Sequence, residues 1–479
     1  MNQYNILRKG KKLGLLILGA TLLASVLLST ILKPDMAKGQ ASQPERRVNV
    51  PYWANGAPYP SRAIFWFGKV TPTNVYADVR LIYNDSKLNI TVHIIDRRLW
   101  YAMTPSPANL TQWDSVSLYL DLDGNNRTSL NSNDYRFDAQ LNWYEPRSNY
   151  QVSYSGNGST WLSNPISYTV TTGWRGDAPN DNTDDRGWVA DYTIPFSSLG
   201  LSGPPPFGTV WGLAVIVHNR DDINGPALPD TFWPEWMKPN SPSTWGQMHF
   251  GFPNNSSPIG IPEGNTTIRN GLNNVKVIDA EVGGNTTCGK DLWPDIWNNF
   301  GNANYAGYSQ INIQNEWDIS DFACFSKYYV TFPLDSLPKN RLILSAKLTM
   351  YEFGCPAHSK PSYIQAFIVN QDWQENTITW NNAPLALENI SGTWVDPKDT
   401  WTPYQWDVSR AVAEAYAAGE PLRLALYSAD GDYNSGKYFW SSNSDAGDIG
   451  RPTLNVQWGL ACNSTNIICK FSFLPISIR

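Results

Sequence analysis

The stretch SVSLYLDLDGNNRTSLNSNDYRFDAQL, residues 115–141, decides the fold class. Val116, Leu118 and Leu120 alternate with Ser115, Ser117 and Tyr119. Tyr135, Phe137, Ala139 and Leu141 repeat that period beyond a turn rich in Asp, Asn and Gly. A period of two sends successive side chains to opposite faces, so each run reads as a strand with one core face and one polar face. The turn residues reverse the chain and predict an antiparallel pair.

The same alternation recurs outward from this pair. Leu88, Ile90, Val92 and Ile94 oppose Asn89, Thr91 and His93, and Trp188, Ala190, Tyr192 and Ile194 form another row. Further strand-like runs are 211–217, 328–332, 342–351, 363–369, 422–427 and 454–458, separated by Gly, Pro, Asn and Asp. Only Val408, Ala411, Val412, Ala415 and Tyr416 keep a helical period, with Asp407 as N-cap and Gly419 as stop. PNNSSPIGIPEGNTT, residues 253–267, is polar, rich in Pro and Gly, and without period. The chain therefore reads as all-β: two antiparallel β-sandwich (jelly-roll) domains in tandem, 48–253 and 268–459, with one short helix in the second. Residues 254–267 read as a linker and 460–479 as a C-terminal tail.

Composition narrows the function. The net charge of −6, with no basic patch beyond the N-terminus, argues against nucleic acid. Arg8, Lys9, Lys11 and Lys12 precede an uncharged apolar run from Leu13 to Leu32, so residues 1–41 read as a signal peptide or signal anchor. That places the remainder in the secreted or cell-surface space, with membrane contact only through the N-terminal segment. Five Cys suit an oxidising compartment, and their pairing is open. Sequons are frequent, among them Asn89, Asn109, Asn157, Asn285 and Asn389. The chain carries 22 Trp, more than a core needs, and flat amphipathic rings are what sugar-binding surfaces use.

Three ordered motifs carry a resemblance in the first module: residues 114–141, WVADYTIPFSSLGL at 188–201, and a closing pair of strands at 210–251 containing TWGQMHFG. Together they resemble the family 9 carbohydrate-binding modules and their DOMON-like relatives. The resemblance implies a sugar-binding jelly roll with calcium as a structural ion. Asp121, Asp123, Asn125 and Asp134 place hard oxygens on one turn, the ligand type calcium takes. The loop-borne residues Trp143, Tyr144, Trp174, Trp233, Glu235 and Trp236 are the candidate sugar contacts, whereas Trp188, Trp211 and Trp245 read as core. In the second module, YYVTFPLDSLPKNRLILSAKLTMYEF (328–353), VNQDWQENTITWNNAP (369–384) and FWSSNSDAGDIGRPTLNVQW (439–458) resemble DNRLRE-type modules, related to the family 96 carbohydrate-binding modules. The usual Arg before the first of these is replaced by Lys327 or absent.

Four His occur, none in an H-E-x-x-H spacing, and there is no G-x-S-x-G elbow. The expectation is an exported, non-catalytic protein, not an enzyme, that recognises an extracellular polysaccharide or oligosaccharide. The alternatives are a cell-surface structural or adhesion protein, an accessory component of a glycoside hydrolase system, and a β-sandwich lyase.

Overall fold

Alternating residues become strands whose apolar faces must meet another sheet, and two such pairs of sheets form. The computed structural model describes residues 43–54, 62–143, 146–252, 258–315, 322–429, 434–444 and 447–462. The expected export segment at 1–41 lies outside the described residues, as does most of the expected tail.

In the first sandwich, one sheet runs β1 (Arg47–Val50), β13 (Gly246–Phe250), β11 (Val210–His218), β5 (Ser115–Asp121), β6 (Asp134–Gln140), β7 (Gln151–Asn157) and β8 (Thr160–Ser163). The short β12 (Thr231–Trp233) adds to β11. The facing sheet runs β2 (Ala63–Gly68), β3 (Tyr76–Tyr83), β4 (Lys87–Ile95), β10 (Gly187–Pro195) and β9 (Thr169–Arg175). Neighbouring strands are antiparallel except β1 with β13. Val116, Leu118, Leu120, Phe137 and Ala139 meet Ile90, Val92, Ile94, Trp188 and Tyr192 in one buried core. Trp211 joins that core and Trp245 is buried on the outer face, as expected of both.

The second sandwich stacks β14 (Gly260–Arg269), β24 (Thr453–Ala461), β18 (Leu342–Gly354), β23 (Lys437–Trp440) and β16 (Gln310–Ile313) on a second sheet. That second sheet holds β15 (Ile278–Gly283), β17 (Ser326–Phe332), β22 (Leu422–Ser428), β19 (Ser362–Ile368) and β20 (Glu388–Val395). The strand β21 (Thr402–Asp407) lies beside β18. A single helical turn, α1 (Ile296–Asn299), joins the expected helix, α2 (Ser409–Ala418). Val408, Ala411 and Val412 of α2's stripe are buried, and Gly419 ends the helix in the left-handed conformation. Cys288 bonds to Cys324, and Cys355 is free.

The linker expectation needs correction. Residues 260–267 are strand, pairing Ile261 with Leu460 and Thr266 with Val456. Pro262 and Gly264 flank a register shift that breaks the alternation, so the segment does not look like a strand in sequence. Residues 460–461 likewise extend β24 past the expected boundary.

The two sandwiches are not strung apart. Ile64, Trp66, Tyr76 and Ile95 of the first share one buried cluster with Val282, Tyr329, Phe367, Trp380 and Tyr427 of the second. Trp66 meets Phe367 edge-on with ring centroids 4.9 Å apart, and Tyr76 lies 4.9 Å from Trp380. Polar struts cross the same boundary. Asn381 accepts from the Val70 N–H at 2.8 Å and donates to the Val70 carbonyl at 3.0 Å. Asn389 accepts from the Asn49 N–H at 2.8 Å and donates to its carbonyl at 3.0 Å. Arg80 donates to Asn315, which donates to Asp78. Asn389 and Asn285 are both buried, so these two sequons are closed to modification in the folded chain.

This interface should make the sandwiches unfold together. Asn381→Ala leaves the Val70 amide without its partner and should cost about 1–3 kcal/mol. Urea denaturation followed by Trp fluorescence should show one transition at a lower midpoint. Two separable transitions, or an unmoved midpoint, would contradict the coupling.

Candidate functional site

The expected sugar contacts divide into three groups. Trp143 and Trp174 come together, edge to face, with centroids 5.3 Å apart and planes at 68°. Trp174 projects from β9, the edge strand, and its indole N–H donates to the Asp177 carbonyl at 2.8 Å. It lines a cleft of about 180 Å³ with Thr171, Thr172, Arg175 and Asp191. Both rings are half-buried, so each keeps some open surface. Tyr144 lies outside the described residues.

Trp233 is a correction. Its ring is 1% exposed and stacks on Phe65 with centroids 3.9 Å apart, so no ligand reaches it. The loop-like context hid a three-residue strand that pairs Trp233 with Val215 and turns the ring into the core.

Glu235 is also a correction, because both its oxygens are engaged. Arg46 Nε donates to Oε2 at 3.1 Å and Nη2 to Oε1 at 2.6 Å. The same guanidinium donates to the carbonyls of Leu385 and Ala386 in the second sandwich. Glu235 is thus a strut for the buried Arg46, which also lies 5.6 Å from the half-buried Trp236 ring. This strut borders a cleft of about 360 Å³ between the sandwiches, lined by Asn74, Asp230, Phe232, Trp380 and Asn382. Its size falls within the range of small-molecule sites.

A row of rings on the second sandwich was missed. Phe353 stacks on Trp440 with centroids 4.1 Å apart and planes at 24°. Tyr438 lies 6.3 Å from Phe353, and Trp401 lies 5.7 Å from Trp440. Trp401 is 44% exposed and the other three are half-buried. A Cβ on Gly450 would come within 3.1 Å of Trp440, tighter than ordinary contact, so glycine lets the backbone lie against these rings without moving them. The available signal was the alternation in β23: Phe439 is fully buried, so Tyr438 and Trp440 must face out.

The expected calcium turn is closed by its own hydrogen bonds. Asp121 Oδ1 accepts from the N–H groups of Asp123 and Gly124. Asp123 accepts from the side-chain amides of Asn125, Asn131 and Asn133. Asp134 Oδ2 accepts from the Asn131 N–H, and only its buried Oδ1 lacks a partner. Burial pushes the Asp134 carboxyl up to about 7, helped by the charges of Asp121 and Asp123. Most of the oxygens placed on this turn thus already serve its own N–H groups and amides, whereas calcium takes six to eight oxygen ligands.

One arrangement has the spacing of a hydrolytic relay. Asp230 Oδ1 lies 2.8 Å from His218 Nδ1, and Ser117 Oγ lies 2.9 Å from His218 Nε2. Ser117 is fully buried, however, and its hydroxyl donates to Asp138 Oδ1 at 2.6 Å. A nucleophile must reach substrate with its proton passed to the base. Here the proton points away from His218 and no acyl group can approach, so the set is a structural hydrogen-bond chain.

Residues 297–457 match the family model for Carbohydrate-binding module family 96. No curated protein matches this chain. Among solved structures, it is similar to a family 9 carbohydrate-binding module from Caldicellulosiruptor kristjanssonii in complex with cellotriose. That likeness has 18% identity, covers 46% of this chain and 100% of that one, and has a TM-score of 0.31. The module in complex with glucose is likewise 18% identical, over 44% of this chain and 100% of its own, with a TM-score of 0.30.

The reassignment of Glu235 is testable. The pair is screened at its Glu235 end, which is 39% exposed, so Glu235→Gln should cost about 1 kcal/mol rather than the about 3–5 of a fully buried pair. Thermal denaturation should show the loss while glycan retention in affinity electrophoresis stays unchanged. Lost retention at unchanged stability would return Glu235 to the ligand site.

Proposed function

We propose that this chain is an exported, non-catalytic protein that binds a polysaccharide or oligosaccharide through exposed ring surfaces. The observation that carries this reading is the row Tyr438, Phe353, Trp440 and Trp401, which lies wholly within the segment matching family 96. Aromatic faces pack against the C–H faces of pyranose rings, and such contacts suit a chain of sugars laid across a sheet. The Trp143–Trp174 pair offers a smaller, single-sugar cleft on the first sandwich. Export rests on the basic and apolar N-terminal run, which fits the disulfide between Cys288 and Cys324. The buried state of Ser117 favours binding without chemistry.

Trp401→Ala removes an exposed ring and should leave the melting temperature unchanged. It should weaken retention in gels containing the bound polysaccharide about tenfold, equivalent to about 1.4 kcal/mol. A panel of soluble and insoluble glycans supplies the ligand. The reading fails if the unaltered chain binds none of them, and the ring row is misplaced if Trp401→Ala and Trp440→Ala both bind normally.

A further inference from the structure

The stacking order of the four sheets follows from which side of each strand enters which buried cluster. In the second sandwich, Leu348 and Met350 of β18 and Phe439 of β23 share a core with Ile364, Ala366 and Leu424 of the facing sheet. Phe353, Tyr438 and Trp440 alternate with the inward residues of β18 and β23, so they turn to the free side of that layer. On the facing sheet, Tyr329, Phe367, Ala425 and Tyr427 turn the other way, into the cluster shared with the first sandwich. Trp66 and Tyr76 meet them there, while Phe65, Phe67, Ala77 and Val79 of the same two strands enter the first core.

The sheets therefore lie in four layers, and the ring row around Trp440 occupies the outside of the first of them. Stacked sheets lie about 10 Å apart, so about 20 Å separates that layer from the sheet that β9 borders. The Trp143–Trp174 pair belongs to that more distant level. Trp174 pairs across the strands with Trp188, whose ring is in the first core, so the pair opens at the β9 edge and not on a face turned to the row. Nor can the two surfaces swing round to one side. The shared cluster and the double bonds of Asn381 to Val70 and Asn389 to Asn49 fix one sandwich against the other.

We propose that the two ring surfaces hold two separate sugar chains, which makes this protein a rigid cross-linker of polysaccharide. The inference rests on the reading that both surfaces bind sugar, and adds what their placement does. Two linked sites tighten the hold on one ligand only where that ligand can occupy both at once. Here a stretch of sugar chain lying on the ring row runs along an outer face, with two layers of sheet between it and the Trp143–Trp174 pair. The second surface takes another chain. The product is a junction between chains instead of a tighter grip on one, and the buried interface between the sandwiches is the rigid spacer of that junction.

Light scattering reads the junctions. The full chain is titrated into solutions of hydroxyethyl cellulose, mixed-linkage β-glucan and xylan, and retention in gels containing each is measured alongside. With any polysaccharide that is retained, scattering should rise several-fold at intermediate ratios and fall again in excess protein, where each stretch of sugar holds its own copy. Trp174→Ala removes one surface, and Trp401→Ala combined with Trp440→Ala removes the other. Each variant should keep weakened retention through the surface it still has and lose the rise in scattering. The ring-row variant carries the test should Trp174→Ala fold poorly, since Trp401 is exposed and Trp440 lies outside the core. Retention by the unaltered chain without a rise, or a rise that both variants keep, overturns the cross-linker. Retention of no polysaccharide by the unaltered chain overturns instead the reading on which it rests.

Discussion

The amine of Lys327 is the point around which the two sandwiches close. It is fully buried, 3.5 Å from the centroid of Trp380 and within 4.7 to 5.2 Å of the rings of Trp66, Tyr76 and Tyr427. Two of those rings come from each sandwich. Desolvation pushes the Lys327 pKa well down, and Asp78 opposes that shift. The negative faces of the rings also favour the protonated form. Removing any one wall would open the nitrogen to an uncompensated apolar surface. The neighbouring Asp78–Arg80–Asn315 bonds and the Asn381 and Asn389 struts surround this cage and exclude water from it.

Such an interface explains why the first sandwich presents so little free surface on its β2–β3 face. Trp66 and Tyr76 point away from their own core, and in isolation they would be an exposed aromatic patch of the kind that marks a binding surface. The second sandwich occupies that face. The ring surfaces the interface leaves open are the β9 edge with Trp174 and the outer row on β18 and β23, and the cleft beside Asp230 lies between the sandwiches.

Much of this was legible in the sequence, for a physical reason. Period-two alternation reports burial on one face, and it located the core strands β4, β5, β6 and β10 together with the helix between Val408 and Gly419. It fails where a strand is short or bulged. The alternation of β14 is broken by Pro262 and Gly264, and β12 is only three residues long. Trp233 was misread for that reason, since a Trp–Pro stretch without visible alternation looks like a loop. Glu235 was misread because its partner, Arg46, is 189 positions away, and no local pattern reports a contact at that range. Lys327 stood out only as a departure from the usual arginine, and nothing local announced rings supplied by the other sandwich.

The acidic residues show the same limit from the electrostatic side. Asp121, Asp123, Asn125 and Asp134 looked like a cation site because they are close in sequence, but closeness lets a turn satisfy itself: three asparagine amides and three backbone N–H groups already serve those oxygens. Asp96, Asp185 and Asp221 are far apart in sequence and sit at strand ends; the Arg98 N–H serves Asp96 Oδ1, while Asp96 Oδ2, both Asp185 oxygens and Asp221 Oδ1 are buried without a partner. Convergence by register, rather than by loop, leaves their oxygens open. The chain therefore concentrates buried carboxyl oxygens at one end of the first core, beside Arg97 and Arg98, and burial pushes Asp96 well up and Asp221 up to about 6.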